Sequence, residues 1–490
     1  MGRAAVLTSV GTLALALALG IASSPLVAGS ETPQAASPTG SVELRILGVP
    51  GHAADPRVRE HVEFGVACGF NAVWITTGAP AERPPTGKLL DLLAGWEARG
   101  LRVFVEVLAA SEQRPFADRA TREDLRRFVA LVHERAQVRD FVVSFDGAAL
   151  DLTDLADLDA YGRSAAPAHL DLVRGLARAT PRDTRLWLRP AVSSDAGLAD
   201  PALPYAAALL EGLRRVPRRV GIVWSGTAPA SVSVDADAVR RSRAKLGDRP
   251  MLLADRFPYN GSGSRVPLAL VLGALRERDP AIARELAGYL ALPMAELGAS
   301  RLALLTVADF LRDPSTYDPD RSWHAAIARL AGDDPAVREA LETQALEWGG
   351  WIGGRNYHTA DTANPHSAAA ALGDPAAVAS WTWVVRRYPE RMEALARAAD
   401  RTFADDVLLV MARRLAVARA VPLVVEIQAR RSAGRTDLDA LESQIAAERS
   451  RLDGRPDVRL ALDRFLAVAG IRVQRPIDPA LPDAASEILP

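Results

Sequence analysis

Between residues 42 and 330, short β-like runs alternate with amphipathic helical stretches, and only helical stretches follow. That order predicts a (β/α)8 TIM barrel with an α-helical domain behind it, because strand–helix alternation implies parallel pairing through right-handed crossovers. A doubly wound open sheet is the structural competitor. It loses support because no Gly-x-Gly-x-x-Gly follows the first run.

The β-like runs lie at 44–49, 72–76, 102–108, 140–145, 185–189, 220–224, 250–254 and 301–307. They are short, apolar and rich in Val, Ile, Leu and aromatics, as strands buried on both faces are. Helical stretches at 56–67, 88–99, 122–135, 169–179, 202–215 and 235–245 separate them, and a helical stretch at 281–290 precedes the last run. Eight repeats over this length match the size of a TIM barrel.

From 331 to 475 the pattern is helical, with stretches at 335–346, 375–385, 390–401, 405–419, 438–451 and 458–469. Thr436 begins a capping-box-like start. The run 422–427 suits either period, and its helical surroundings favour helix. The tail 476–490 holds four prolines and is expected to be loose.

The N-terminal 30 residues carry one charge, Arg3, and the apolar run 13–19, followed by small residues. This reads as an export signal, or as a membrane anchor if it is not cleaved. Residues 31–41 form a polar linker. The expectation is an exported protein that meets a membrane only through this first segment. A net charge of -1 gives no reason to expect nucleic acid as a partner. Cys68 is the single cysteine, so no internal disulfide or Cys-x-x-Cys metal site can form.

Barrel enzymes keep their chemistry at the C-terminal ends of the strands. Polar residues at those ends are Glu106 and Ser111 after the third run, Asp146 after the fourth and Arg189 after the fifth. Trp224 and Ser225 follow at the sixth, Asp255 and Arg256 at the seventh, Thr306 and Asp309 at the eighth. Arg189 and Asp255 have a purely structural alternative as a rim ion pair.

The stretch from 221 to 323 contains Ile222-Val223-Trp224-Ser225-Gly226, then Ala254-Asp255-Arg256-Phe257-Pro258-Tyr259-Asn260, then Leu292-Pro293-Met294. It continues with Ala308-Asp309-Phe310, Tyr317 and Ser322-Trp323. In order and spacing it resembles glycoside hydrolase family 84, the β-N-acetylglucosaminidases. The resemblance is strong from 221 to 323 and weak before 140.

The resemblance implies substrate-assisted hydrolysis of N-acetylglucosamine-containing glycans or glycoproteins, without cofactor or metal. In that scheme the sugar's own acetamido oxygen attacks the anomeric carbon. One aspartate at the fourth strand orients the acetamido group, and the adjacent aspartate is the general acid/base. Asp146 matches the first; Gly147 stands at the second and has no side chain.

Other positions also depart from the family pattern. Ala254-Asp255-Arg256 replaces Trp-Asp-Asn, Gly261 replaces an aspartate although Asn260 is kept, and Leu292 replaces an asparagine. Gly78 and Ser193 stand for a lysine and a tyrosine. A re-sited second carboxylate would be Asp255 or, more weakly, Glu106. Trp224, Arg256, Asn260 and Arg189 are the candidate sugar contacts.

Two readings follow: a hexosaminidase-like enzyme, or a non-catalytic pseudoenzyme descendant that binds glycan or protein. A Gly-rich aromatic segment at 348–358 is a third candidate for sugar stacking. Its simpler role is a loop packed on the barrel. His358, Asp361 and His366 nearby lack tight metal-ligand spacing, so no metal site is expected.

Overall fold

The computed structural model describes residues 41–49, 56–77, 84–109, 114–260, 267–348 and 365–471. The expected export segment, Gly78, Ser111, Gly261, most of the Gly-rich aromatic segment with Asp361, and the tail from 476 lie outside them.

Eight parallel strands close into one barrel in chain order. They are β1 (Arg45–Val49), β2 (Ala72–Thr77), β3 (Arg102–Leu108), β4 (Asp140–Ser144), β5 (Arg185–Arg189), β6 (Gly221–Trp224), β7 (Met251–Asp255) and β8 (Gly288–Ala291). Closure comes from β8 pairing with both β7 and β1, as in Leu290 opposite Ala254 and Ile46. Helices separate successive strands, including Pro56–Cys68, Gly87–Ala98, Arg119–Ala136 and Ala166–Ala179. The predicted barrel class is therefore the observed one.

Strand alternation sorts every side chain to one of two cores. Ile46, Ala72, Trp74, Phe104, Val142, Trp187, Val223, Leu252, Ala254 and Leu290 fill the barrel interior. Their neighbours in sequence, such as Val73, Val105, Val143, Leu188, Trp224 and Leu253, face the surrounding helices. The interior is plugged by aromatic rings, with Trp74 stacked on Phe104 at 6.0 Å and Phe104 beside Trp187 at 6.1 Å. At the N-terminal end, buried Asp140 accepts paired hydrogen bonds from Arg102 and Arg185 and one from Trp187.

The eighth strand is a correction. The run expected there, 301–307, lies in the helix Arg301–Arg312, and the strand is Gly288–Ala291, within and just beyond the stretch expected to be helical. Ten of the twelve residues of that helix are buried. A helix covered on nearly every side shows no polar face, so its 3.6-residue period is hidden and it reads as a buried strand. Thr306 and Asp309 therefore belong to an outer helix. Thr306 binds the Leu275 amide, and Asp309 binds Arg312 and Ser322.

Behind the barrel lie helices including Pro335–Trp348, Pro375–Leu395, Arg401–Ser432, Asp439–Ser450 and Pro456–Val468. The break expected between 385 and 390 does not occur, and the run 422–427 is helical as its surroundings suggested. Pro389 and Pro422 sit inside continuous helices. An internal proline costs roughly 3 kcal/mol of helix stability. Burial of Val417, Val421, Val424 and Ile427 around Pro422 offsets that cost through packing.

Candidate functional site at the barrel mouth

Position parity decides which strand-end residues reach the mouth. Phe104 faces inward, so Glu106 does too; Val142 faces inward, and Ser144 and Asp146 continue that side. Trp187 carries Arg189 inward, and Ala254 carries Arg256 inward. The mouth thus gathers Glu106, Asp146, Arg189 and Arg256.

These four form a chain of charges. Arg189 Nη1 donates to Glu106 Oε1 at 2.8 Å, and its Nη2 lies 2.5 Å from Asp146 Oδ2. Arg256 Nη2 stands 3.9 Å from the other oxygen, Asp146 Oδ1. The Arg256 guanidinium also lies 5.9 Å from the ring centre of Tyr259. Two carboxylates meet two guanidiniums, which lowers the cost of holding each charge away from water.

Glu106 is saturated. Besides Arg189, its Oε2 accepts from Trp74 Nε1 at 2.8 Å and Thr76 Oγ1 at 2.6 Å, and Ser144 also donates to it. Burial, the largest single influence, works to raise its pKa. The charge of Arg189 and the three neutral donors outweigh it and hold the carboxyl below the usual range. Such a group keeps its negative charge and holds Arg189 in place; it is no proton donor at neutral pH.

Asp255 does not join the mouth. It shares the outward parity of Met251 and Leu253 and is 2% exposed. Arg278 grips it with Nε to Oδ2 at 2.7 Å and Nη2 to Oδ1 at 3.0 Å, while the Tyr289 hydroxyl and the Phe257 amide also donate to it. Arg278 in turn donates to the carbonyls of Ser231, Val232 and Arg276. Asp255 is therefore a buried anchor for the loops around β7. The suggested rim pair between Arg189 and Asp255 is replaced by two separate pairs.

Trp224 is likewise outside the mouth. It is fully buried among the outer-layer residues, and its Nε1 donates to Asp195 at 3.0 Å. Asn260 lies in the segment after β7 and donates to Glu296 at 3.0 Å. Glu296 follows β8; burial pushes its carboxyl upward despite Asn260 and nearby Arg413. Ser193 and Ser225 share a 2.6 Å hydrogen bond beyond the ends of β5 and β6.

Arg278, Glu296 and Tyr259 were missed as partners from sequence. A signal existed for Asp255: it continues the odd-numbered outward positions of its strand. Nothing in the local sequence marks Arg278 or Glu296, because their contacts cross loops.

Behind the β4 end, Phe145 stacks on the His169 ring at 3.8 Å. The Tyr205 hydroxyl accepts from the Ala191 amide and shares a 3.0 Å hydrogen bond with His169 Nδ1. Burial lowers the His169 pKa to about 3, so the ring is neutral and serves as packing that holds the Asp146 backbone. Gly147 has φ 79°, a left-handed conformation that suits glycine.

Among the described residues, no cluster of His, Cys, Asp and Glu is arranged to hold a metal ion. A surface concavity of about 450 Å³ lies at the opposite end of the barrel, beside Pro250, Met251 and Ala287. Its arginines are already engaged, Arg249 with four carbonyls and Arg243 with Glu285.

The fold class is a closed parallel TIM barrel, with a partly exposed carboxylate, Asp146, just beyond strand four. Residues 112–345 match the family model described as beta-N-acetylglucosaminidase. The fold is similar to that of a mutant of the Thermobaculum terrenum O-GlcNAc hydrolase, with a TM-score of 0.59 and 18% identity, covering 87% of this chain and 95% of that one. It is also similar to CpGH84B, with a TM-score of 0.55 and 13% identity, covering 88% of this chain and 77% of that one. The matched region, which spans most of the barrel, together with the shared fold supports placing the barrel in glycoside hydrolase family 84.

Proposed function

We propose that the barrel mouth recognises β-N-acetylglucosaminides, with Asp146 receiving the acetamido N–H and Gly147 standing in place of the family's general acid. One observation carries this reading. Of the three candidate carboxylates, Glu106 and Asp255 have side chains 2% exposed, whereas that of Asp146 is 32% exposed. Asp146 alone among them can meet a ligand.

Arg189 binds one oxygen of Asp146 and leaves the other facing Arg256 at 3.9 Å. A carboxylate has about four lone-pair sites, so it can hold Arg189 and still accept an amide N–H. With no side chain at Gly147, the site lacks general-acid help worth roughly 10²–10⁴-fold. Turnover is then confined to substrates whose leaving group departs without a proton.

The Arg189 clamp on Asp146 also favours a second reading, a non-catalytic glycan binder. The two part in one experiment. Hydrolysis of 4-nitrophenyl β-N-acetylglucosaminide and calorimetric binding of N-acetylglucosamine are measured for the wild type and Asp146→Asn. The enzyme reading expects slow turnover that falls about 10²-fold in the variant. Binding that depends on Asp146 without turnover selects the binder. Binding and turnover both indifferent to Asp146 would reject the site.

A further inference from the structure

Arg256 brings a positive charge to the mouth that the acetamido reading does not need. Its side chain is 31% exposed, and among the described residues the carboxylate oxygen beside it is 3.9 Å away, beyond hydrogen-bond distance. Arg189, by contrast, is 9% exposed and paired at 2.5 and 2.8 Å. Arg189 is therefore committed to the protein, and Arg256 has donors to offer a ligand. A guanidinium matches the oxygens of phosphate through paired N–H donors.

The position of Arg256 relates to the reacting bond. The acetamido group sits on the carbon next to the anomeric carbon. A group beside the carboxylate that receives the acetamido N–H is thus within a few bonds' reach of the departing oxygen. Gly147 supplies no proton there, and Arg256 supplies positive charge. A sugar or peptide hydroxyl leaves poorly as an alkoxide; a phosphate monoester leaves as a stable dianion.

Resting on the reading of Asp146 given above, we propose that the site hydrolyses β-linked N-acetylglucosaminyl phosphodiesters, with Arg256 receiving the phosphate that departs. In the first step the acetamido oxygen forms a bond to the anomeric carbon while the bond from that carbon to the phosphate oxygen breaks. The phosphate takes the electron pair and leaves as a monoester dianion against Arg256. Asp146 takes the amide proton of the resulting oxazolinium. Water then adds to the anomeric carbon, the ring opens, and the nitrogen regains its proton from Asp146. The proton lost by water passes to solvent. The net change is phosphodiester plus water to free sugar, phosphate monoester and one proton, with the β-configuration retained.

The test compares three probes: β-N-acetylglucosaminyl methyl phosphate, methyl β-N-acetylglucosaminide and 4-nitrophenyl β-N-acetylglucosaminide. Release of free sugar is followed for wild type, Arg256→Gln and Arg256→Lys, each checked for an unchanged thermal melt. The expected result is hydrolysis of the phosphodiester and none of the methyl glycoside. Arg256→Gln should lower kcat/KM on the phosphodiester about 10²-fold. Its effect on the nitrophenyl compound should be at least tenfold smaller, and Arg256→Lys should recover part of the loss. Turnover of the nitrophenyl compound without the phosphodiester, or equal losses on both, overturns the proposal while leaving the acetamido site standing. If none of the probes is hydrolysed but Asp146-dependent sugar binding persists, the proposal also falls and the binder reading holds. Absence of both binding and hydrolysis removes the two together.

Discussion

Four carboxylates in this barrel show how neighbours set the work of one functional group. Asp140 locks two arginines at the closed end, Glu106 anchors Arg189, Asp255 anchors Arg278, and Asp146 faces the opening. The Asp255–Arg278 pair is the more buried extreme, with side chains 2% and 1% exposed. Removing one member of such a pair leaves the other charged and away from water, at a cost of roughly 3–5 kcal/mol. Asp255→Ala should therefore lower the free energy of unfolding by about that much. Urea denaturation followed by circular dichroism measures it. An unchanged midpoint would mean that Arg278 finds other partners and that Asp255 is no anchor.

At the scale of elements, two buried histidines hold strand ends. His61 sits beside β1 with its Nε2 3.2 Å from the Gly48 carbonyl, and His169 backs the β4 end. Burial lowers their pKa values to about 4 and about 3, from an ordinary 6.5. The sign follows from proton binding. Below pH 6.5 the unfolded chain takes up protons that the folded chain refuses, so acid favours unfolding. Each histidine then removes roughly 1.4 kcal/mol of stability per pH unit. The loss runs from pH 6.5 down to about 4 for His61 and about 3 for His169. Unfolding free energies at pH 7 and pH 5 should differ accordingly, with His169→Phe showing a shallower slope. Equal slopes in the two proteins would sink this account of His169.

The whole molecule depends on a close seam between the barrel and the helix Arg401–Ser432. Arg301 binds both Asp400 and Glu60, and Asp406 accepts from the amides of Gly298 and Ala299. Gly298 is the tightest point: a Cβ there would lie 2.1 Å from the Thr402 carbonyl oxygen. Helix and loop would have to separate. Gly298→Ala is expected to cost roughly 1–3 kcal/mol, in the range of overpacked cores. Early proteolytic cleavage in the C-terminal helices, together with a lowered Tm, is the readout. A variant that melts like the wild type would show that the seam is loose.

The barrel class, seven of its eight strands and the helical character of the second half were legible in the linear pattern, because period and length report local burial. It also placed Asp146 at a strand end with Gly147 behind it, since both facts are local. Tertiary structure decided the rest. The helix Arg301–Arg312 hid its period because packing covers almost all of it, and β8 follows the helical turn Ile282–Glu285 so closely that it reads as its continuation. Asp255 and Trp224 look like site residues until the pleat turns them toward the outer layer. Arg189 and Arg256 acquire their meaning only when barrel closure brings β3, β4, β5 and β7 around one mouth. Charge pairing is a matter of distance in space, and distance in space between remote segments is what a linear pattern does not carry.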